Sequence, residues 1–308
     1  MTVTVYLSIY AGLVVFVTGC IWRLYDYARL PFHLRWELYP VPHEEPRLAE
    51  HGGSYFESRD WWLSSQTVHR RSEWLAMIRE IVLLRGVWEF NRPLWLSSFL
   101  FHFGLYLSIA AVGLGGLAVV AGVAMTGGAL GPVVAGMELT CRLCGLLGTI
   151  FVLLGAMLLL EGRLTDPSLK NYTKAGDIFN LLFFIAAFGL LGVGAFEPTT
   201  SLAGVLRGAL HFDRNVEIAP VAGMGTVLVS ALAAYIPFTH MSHFIAKYFT
   251  WHSVRWDDRR NARRSALERQ VAVSLRHRPT WAARHIGADG NRSWAEVATA
   301  NPVEEERK

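Results

Sequence analysis

The chain has 308 residues, 52% of them hydrophobic and 18% charged, with a net charge of +4. That balance is too apolar for an ordinary soluble domain of this length. The apolar residues come in blocks, which argues against one large soluble core and for a membrane protein. Nearly all basic residues lie between the blocks, so the charge reads as topogenic and no nucleic-acid partner is expected.

Val3 to about Trp22 is the first apolar block. Basic residues follow it rather than precede it, and a bulky aromatic stretch occupies the place of a cleavage site, so it reads as a retained membrane helix. Residues 23–92 form a polar, aromatic-rich loop with Pro31, Pro40, Pro42 and Pro46 near its start. Prolines at that density preclude one long helix and suggest an arm along the membrane surface. From Glu73 to Trp88 apolar residues recur at helical spacing beside charges, predicting an interfacial amphipathic helix that stops near Gly86. Trp61, Trp62, Trp74, Trp88 and Trp95 suit the headgroup zone, where indole has an apolar and a wet side.

Four further blocks follow: Leu94 to about Val123, Glu138 to Leu160, Ile178 to Phe196 and Pro220 to Phe249. Each is close to or above the ~20 residues that span ~30 Å of hydrocarbon. The expected fold is an all-α integral membrane bundle of five transmembrane helices, with an interfacial arm and a polar C-terminal tail. The membrane domain covers 1–250, and 251–308 is a cytoplasmic tail suited to docking a partner. Its basic run, Arg259 to Arg264, equally suits a solvated face or a lipid-headgroup contact.

Five spans put the termini on opposite sides. Ten lysines and arginines lie in 23–92, three in 162–176 and thirteen from Lys247 onward, against only Arg207 and Arg214 on the other side. This asymmetry places the N-terminus outside and the tail in the cytoplasm, in a cell (inner) membrane. The cysteines are Cys20, Cys141 and Cys144. They are too few and too scattered for an iron–sulfur cluster, and Cys141-Arg-Leu-Cys144 lacks the next histidine that covalent haem attachment needs. They read as small packing residues, or as a redox or disulfide pair.

An intramembrane histidine is a functional-site candidate by default. His102 lies in the second block, and His240 and His243 lie near the end of the fifth. At 1.5 Å per residue His102 is roughly 12 Å and His243 roughly 9 Å from the cytoplasmic ends of their helices. Two imidazoles at similar depth on antiparallel spans fit the axial ligands of one b-type haem, although a lone histidine can also simply bond a neighbouring helix. His240, one turn from His243, stands as the alternative ligand or as a contact for a propionate or a quinone oxygen. Arg92 and Lys247 can pair with propionates or snorkel to headgroups. Glu138 and Arg142, near the outer face, are possible quinone-site residues or helix-packing and headgroup residues.

Several stretches carry a family likeness: His33-Leu-Arg-Trp-Glu-Leu-Tyr-Pro-Val-Pro-His-Glu44, Gly86-Val-Trp-Glu-Phe-Asn-Arg-Pro-Leu-Trp95, Phe101-His-Phe-Gly-Leu-Tyr106, Pro237-Phe-Thr-His-Met-Ser-His-Phe244, Trp256-Asp-Asp258 and Trp294-Ala-Glu-Val-Ala-Thr299. With five helices and histidines on the second and fifth, the chain resembles the gamma subunit of respiratory nitrate reductase. It is more similar to the membrane cytochromes of the Dsr and Tmc redox complexes. The resemblance implies a b haem held by His102 and His243, a membrane quinone (menaquinone or ubiquinone), and electron transfer to a cytoplasmic iron–sulfur subunit resembling heterodisulfide reductase. The nitrate reductase subunit holds a second haem through histidines whose places here fall at Val112 and around Gly223 to Gly225, so one haem is expected. The implied role is a membrane-anchoring, electron-transferring subunit of a quinone-linked respiratory oxidoreductase. The alternatives are a nitrate reductase gamma subunit, or a non-redox membrane anchor or assembly subunit.

Overall fold

The computed structural model describes residues 1–29, 69–124, 131–197, 200–251, 263–280, 288 and 290–300. The proline-rich arm, Trp61, Trp62, Trp256 to Asp258 and most of the basic run after Arg259 lie outside the described residues. Among the described residues every regular element is helical. In chain order they are α1 (Thr2–Arg29), α2 (Arg70–Leu83), α3 (Arg85–Phe90), α4 (Arg92–Ala124), α5 (Gly131–Thr165), α6 (Pro167–Lys170), α7 (Ala175–Gly194), α8 (Leu202–His211), α9 (Pro220–Tyr235), α10 (His243–Trp251), α11 (Ala266–Leu275) and α12 (Trp294–Thr299).

Five stretches are long and apolar enough to cross a membrane: Thr2–Arg29, Arg92–Gly122, Gly131–Thr165, Ala175–Gly194 and Pro220–Phe238. No more than 28% of the most apolar window of any of them is buried inside the protein. Water would meet a very large apolar surface there, whereas hydrocarbon would cover it without cost. Such a surface is compatible with a multi-pass membrane protein.

The chain divides into two units, 1–21 with 77–242, and 22–76 with 243–308. In the first unit α4 packs along α5, α5 along α7, and α7 along α9, while α8 lies on α4. The α4–α5 crossing is close because glycines line it. A Cβ on Gly104 would stand 2.5 Å from the Val152 nitrogen, and one on Gly155 would stand 2.3 Å from the Phe101 nitrogen. Small residues that let two backbones approach are the usual means of holding membrane helices together. Phe101, Val152, Ala156, Leu181, Phe184, Ala187, Phe188 and Leu232 form the larger buried cluster.

A smaller cluster joins the start of α1 to the segment after α7. Val5 and Tyr6 pack with Val205, Ala209 and Ile218. The Thr2 hydroxyl donates to the Val216 carbonyl at 2.9 Å, Tyr6 to the Asp213 carbonyl at 3.0 Å, and Tyr10 to the Ala209 carbonyl. The helix α8 in this segment was not expected from the sequence. It is capped by Ser201, whose side chain accepts from the Gly204 N–H.

Two boundaries differ from the sequence reading. The helix expected to stop near Gly86 ends at Leu83, and its apolar residues are not gathered on one face. Leu84 turns into the left-handed region, and Gly86 lies inside the next short helix, its N–H donating to the Glu80 carboxylate at 3.0 Å. The fifth span is not continuous to Phe249. Pro237 has no N–H to continue the helical ladder. The chain passes from α9 through 3₁₀ turns at Ile236–Phe238 and His240–Ser242, with Thr239 extended between them. His243 then opens the separate helix α10. The depth argument for His243 assumed an unbroken helix, which the chain does not form.

In the second unit the Trp294 N–H donates to the His277 carbonyl at 2.8 Å, joining the turn after α11 to the start of α12. The serine caps Ser265 and Ser293 each accept from a glutamate N–H three residues on. Rings of Tyr27 and Phe249 lie 6.0 Å apart. All three cysteines are free thiols, Cys141 buried and Cys20 and Cys144 partly so.

Candidate functional site

His102 sits near the start of α4, two residues before Gly104 and next to Phe101. Gly104 and Phe101 face α5 in the tight crossing, which fixes the direction in which α4 presents its neighbouring side chains. Phe101 meets Phe184 edge-on at 4.8 Å, and the His102 ring stands edge-on to Phe101 at 5.4 Å. The His102 Nδ1 lies 2.7 Å from the Ser98 carbonyl oxygen. A carbonyl only accepts, so Nδ1 carries the proton, and in the neutral ring the lone pair resides on Nε2. The orientation and tautomer of a metal-binding imidazole are set by this kind of bond.

On the same helix, the guanidinium of Arg92 lies 4.8 Å over the Trp88 ring. Trp88 meets Trp95 edge-on at 4.7 Å, and Trp95 and Phe99 stack at 4.8 Å. The Trp95 indole N–H donates to the Leu83 carbonyl at 2.7 Å, and the Tyr106 hydroxyl to the Ile81 carbonyl at 2.9 Å. Two of the four carbonyls at the end of α2 are thereby satisfied by α4.

His240 lies in the 3₁₀ turn that follows the broken fifth span, and its side chain is exposed. Its Nε2 stands 3.5 Å from Asp177 Oδ1, while Arg163 Nη1 stands 3.4 Å from Asp177 Oδ2. Asp177 is only 17% exposed and also accepts from the Lys174 backbone N–H at 3.0 Å, closing the first turn of α7. One turn further along α7, the Tyr235 hydroxyl donates to Asn180 Oδ1 at 3.0 Å. Asn180 is 5% exposed. Three helix ends thus meet in one polar cluster formed by Arg163, Asp177, His240, Asn180 and Tyr235.

The remaining sequence candidates are dispersed. Glu138 on α5 reaches Arg207 on α8 at 3.9 Å, and Arg142 is exposed on α5. In the second unit His243 is exposed at the start of α10, with Lys247 half-buried one turn on. Among the described residues no group of three or more His, Cys, Asp or Glu side chains could hold a metal ion. The sequence reading singled out His240 but missed Asp177, Asn180 and Tyr235. Asn180 had a signal: it is a lone carboxamide three residues into the apolar run that starts at Ile178.

No protein-family model matches the chain, and comparison with curated proteins finds no match either.

Proposed function

We propose that the chain is the membrane-anchoring b-type cytochrome subunit of a quinone-linked redox complex, passing electrons between membrane quinone and an iron–sulfur subunit. The reading draws on the resemblance to the nitrate reductase gamma subunit and the Dsr and Tmc cytochromes. The observation that carries it is the His102 ring, set on a membrane-spanning helix with Nδ1 bonded to the Ser98 carbonyl and the lone pair on Nε2. A haem bound to this chain would be held by His102 and His243, with Arg92 and Lys247 as cations for its propionates. Haem supplies one-electron ferric–ferrous cycling when bound, and its potential is set by ligand identity and burial. The apolar spans anchor the chain, the Ser98 carbonyl fixes one ligand, and the polar tail offers a docking surface to the partner.

The test is a reduced-minus-oxidised optical spectrum of the purified protein. Low-spin b bands are expected. They should disappear in His102→Ala and in His243→Ala, and persist in His240→Ala. A colourless protein, or bands that survive loss of His102, would overturn the cytochrome reading and favour a non-redox anchor.

A further inference from the structure

The buried carboxamide of Asn180 is not accounted for by packing. It lies in the apolar run of α7 at 5% exposure, and its Oδ1 accepts from the Tyr235 hydroxyl. Its two N–H donors have no acceptor among the described residues. Should the amide be turned over, its oxygen is left without a donor instead, so half the group is unsatisfied in either orientation. A buried donor without an acceptor is destabilising, and such groups are found where a ligand or an ordered water completes them.

The surroundings define the ligand. Phe179 and Phe183 flank Tyr235 with ring centroids 6.0 Å away, Phe179 edge-on and Phe183 tilted. Phe179, next to Asn180 in the chain, is exposed on the apolar surface of the spans. One turn from Asn180 stand Asp177, Arg163 and His240, the charged end of the same cluster. A flat ring compound that dissolves in the bilayer and carries an acceptor oxygen meets all three features. Its ring lies among aromatic edges, its oxygen takes the carboxamide N–H, and its polar edge faces the charged end. We propose that Asn180, oriented by Tyr235, donates to a carbonyl oxygen of a membrane quinone headgroup at this end of α5, α7 and α9. The proposal rests on the quinone-linked reading above, and it gives that reading a site distinct from Glu138 and Arg142.

The test uses the full chain in detergent micelles and 2,3-dimethyl-1,4-naphthoquinone, whose blocked ring positions do not add to the three thiols. Binding is read by saturable quenching of tryptophan fluorescence. Asn180→Leu, close in volume and without the donor, should weaken binding by about tenfold, the loss of one hydrogen bond to a buried partner. Tyr235→Phe should weaken it less, because it frees the carboxamide to rotate. Far-UV circular dichroism checks the helices, and if Asn180→Leu fails to fold, Asn180→Gln is read instead, with the same loss expected because its donors sit one methylene further out. Folded variants that bind as wild type would overturn the proposal and leave a water as the completing group. The haem reading fails separately: quenching that depends on Asn180 in a colourless protein sinks the cytochrome and keeps the site. Intact b bands with quenching indifferent to Asn180 do the reverse.

Discussion

Gly155→Ala tests whether the α4–α5 crossing is set by backbone contact. The added Cβ would stand 2.3 Å from the Phe101 nitrogen, 2.6 Å from its Cα and 2.7 Å from its Cβ. These are backbone atoms of a helix, so no flexible side chain can yield. Restoring ordinary van der Waals distance requires the helices to part by roughly 1 Å, and overpacking of that kind costs about 1–3 kcal/mol. Alanine regains about 0.5–1 kcal/mol through its better helix propensity. The clash wins, for a net loss of about 0.5–2 kcal/mol. Gly116, on the same pair of helices, has nothing within 4 Å of its would-be Cβ, so Gly116→Ala keeps only the propensity gain. The two alanines should therefore move stability in opposite directions in reversible unfolding from mixed micelles, followed by far-UV circular dichroism. Because Phe101 adjoins His102, Gly155→Ala should also diminish any haem bands, and Gly116→Ala should leave them alone. Equal stabilities for the two variants would refute close backbone packing as the determinant of this crossing.

Removing the Tyr6 hydroxyl leaves the Asp213 carbonyl without the donor it has at 3.0 Å. Tyr6→Phe should cost about 1 kcal/mol, and limited proteolysis should then cut more readily within 200–219. Asp166, in the turn between α5 and α7, is hydrogen-bonded by the Ser168 hydroxyl and backbone N–H, which hold its carboxyl below the ordinary carboxylate value. A group depressed in this way stabilises the fold above its unfolded pKa, and that contribution is lost as pH falls through the folded value. Ser168→Ala should raise the Asp166 titration midpoint seen by NMR, and a midpoint that stays put would exclude the hydroxyl as the cause.

The spans were legible because their signal is local. A run of apolar residues as long as Gly131–Thr165 has few alternatives, and the second and fourth spans begin and end within a few residues of expectation, whereas α1 runs on seven residues past Trp22 to Arg29 and α5 begins seven residues before Glu138, at Gly131, and ends at Thr165. What the sequence could not reveal depends on partners distant along the chain. The helix α8 is too short and too mixed in composition to stand out, and it is held by Tyr6 and Tyr10, about 200 residues away. Asp177 looked like an ordinary polar residue at the edge of a block. Only the return of α9 beside α7 brings His240 to it, and only then does Asn180 acquire Tyr235. His102 was chosen for its rarity in a membrane segment, but its Nδ1 bond to Ser98 depends on a rotamer that spacing does not encode.

The break in the fifth span shows how a membrane helix can stop before its apolar run does. Proline removes a donor and blocks the turn before it, and carbonyls left open near hydrocarbon must find other partners. Here Thr239 and Ser242 provide them. The Thr239 N–H and hydroxyl both donate to the Ile236 carbonyl, at 3.2 and 3.0 Å, and the Ser242 N–H and hydroxyl both donate to the Thr239 carbonyl, at 3.1 and 2.8 Å. The Met241 N–H closes on the Thr239 hydroxyl at 3.2 Å. The segment Pro237-Phe-Thr-His-Met-Ser242 is thus an irregular turn in which two small hydroxyl residues supply partners for the backbone. In an uninterrupted helix His240 and His243 would share a face and compete for one role. In the broken chain His240 belongs to the turn and is engaged by Asp177, while His243 begins a new helix. The same proline that ends the span therefore leaves His240 in an irregular turn and His243 on a helix of its own.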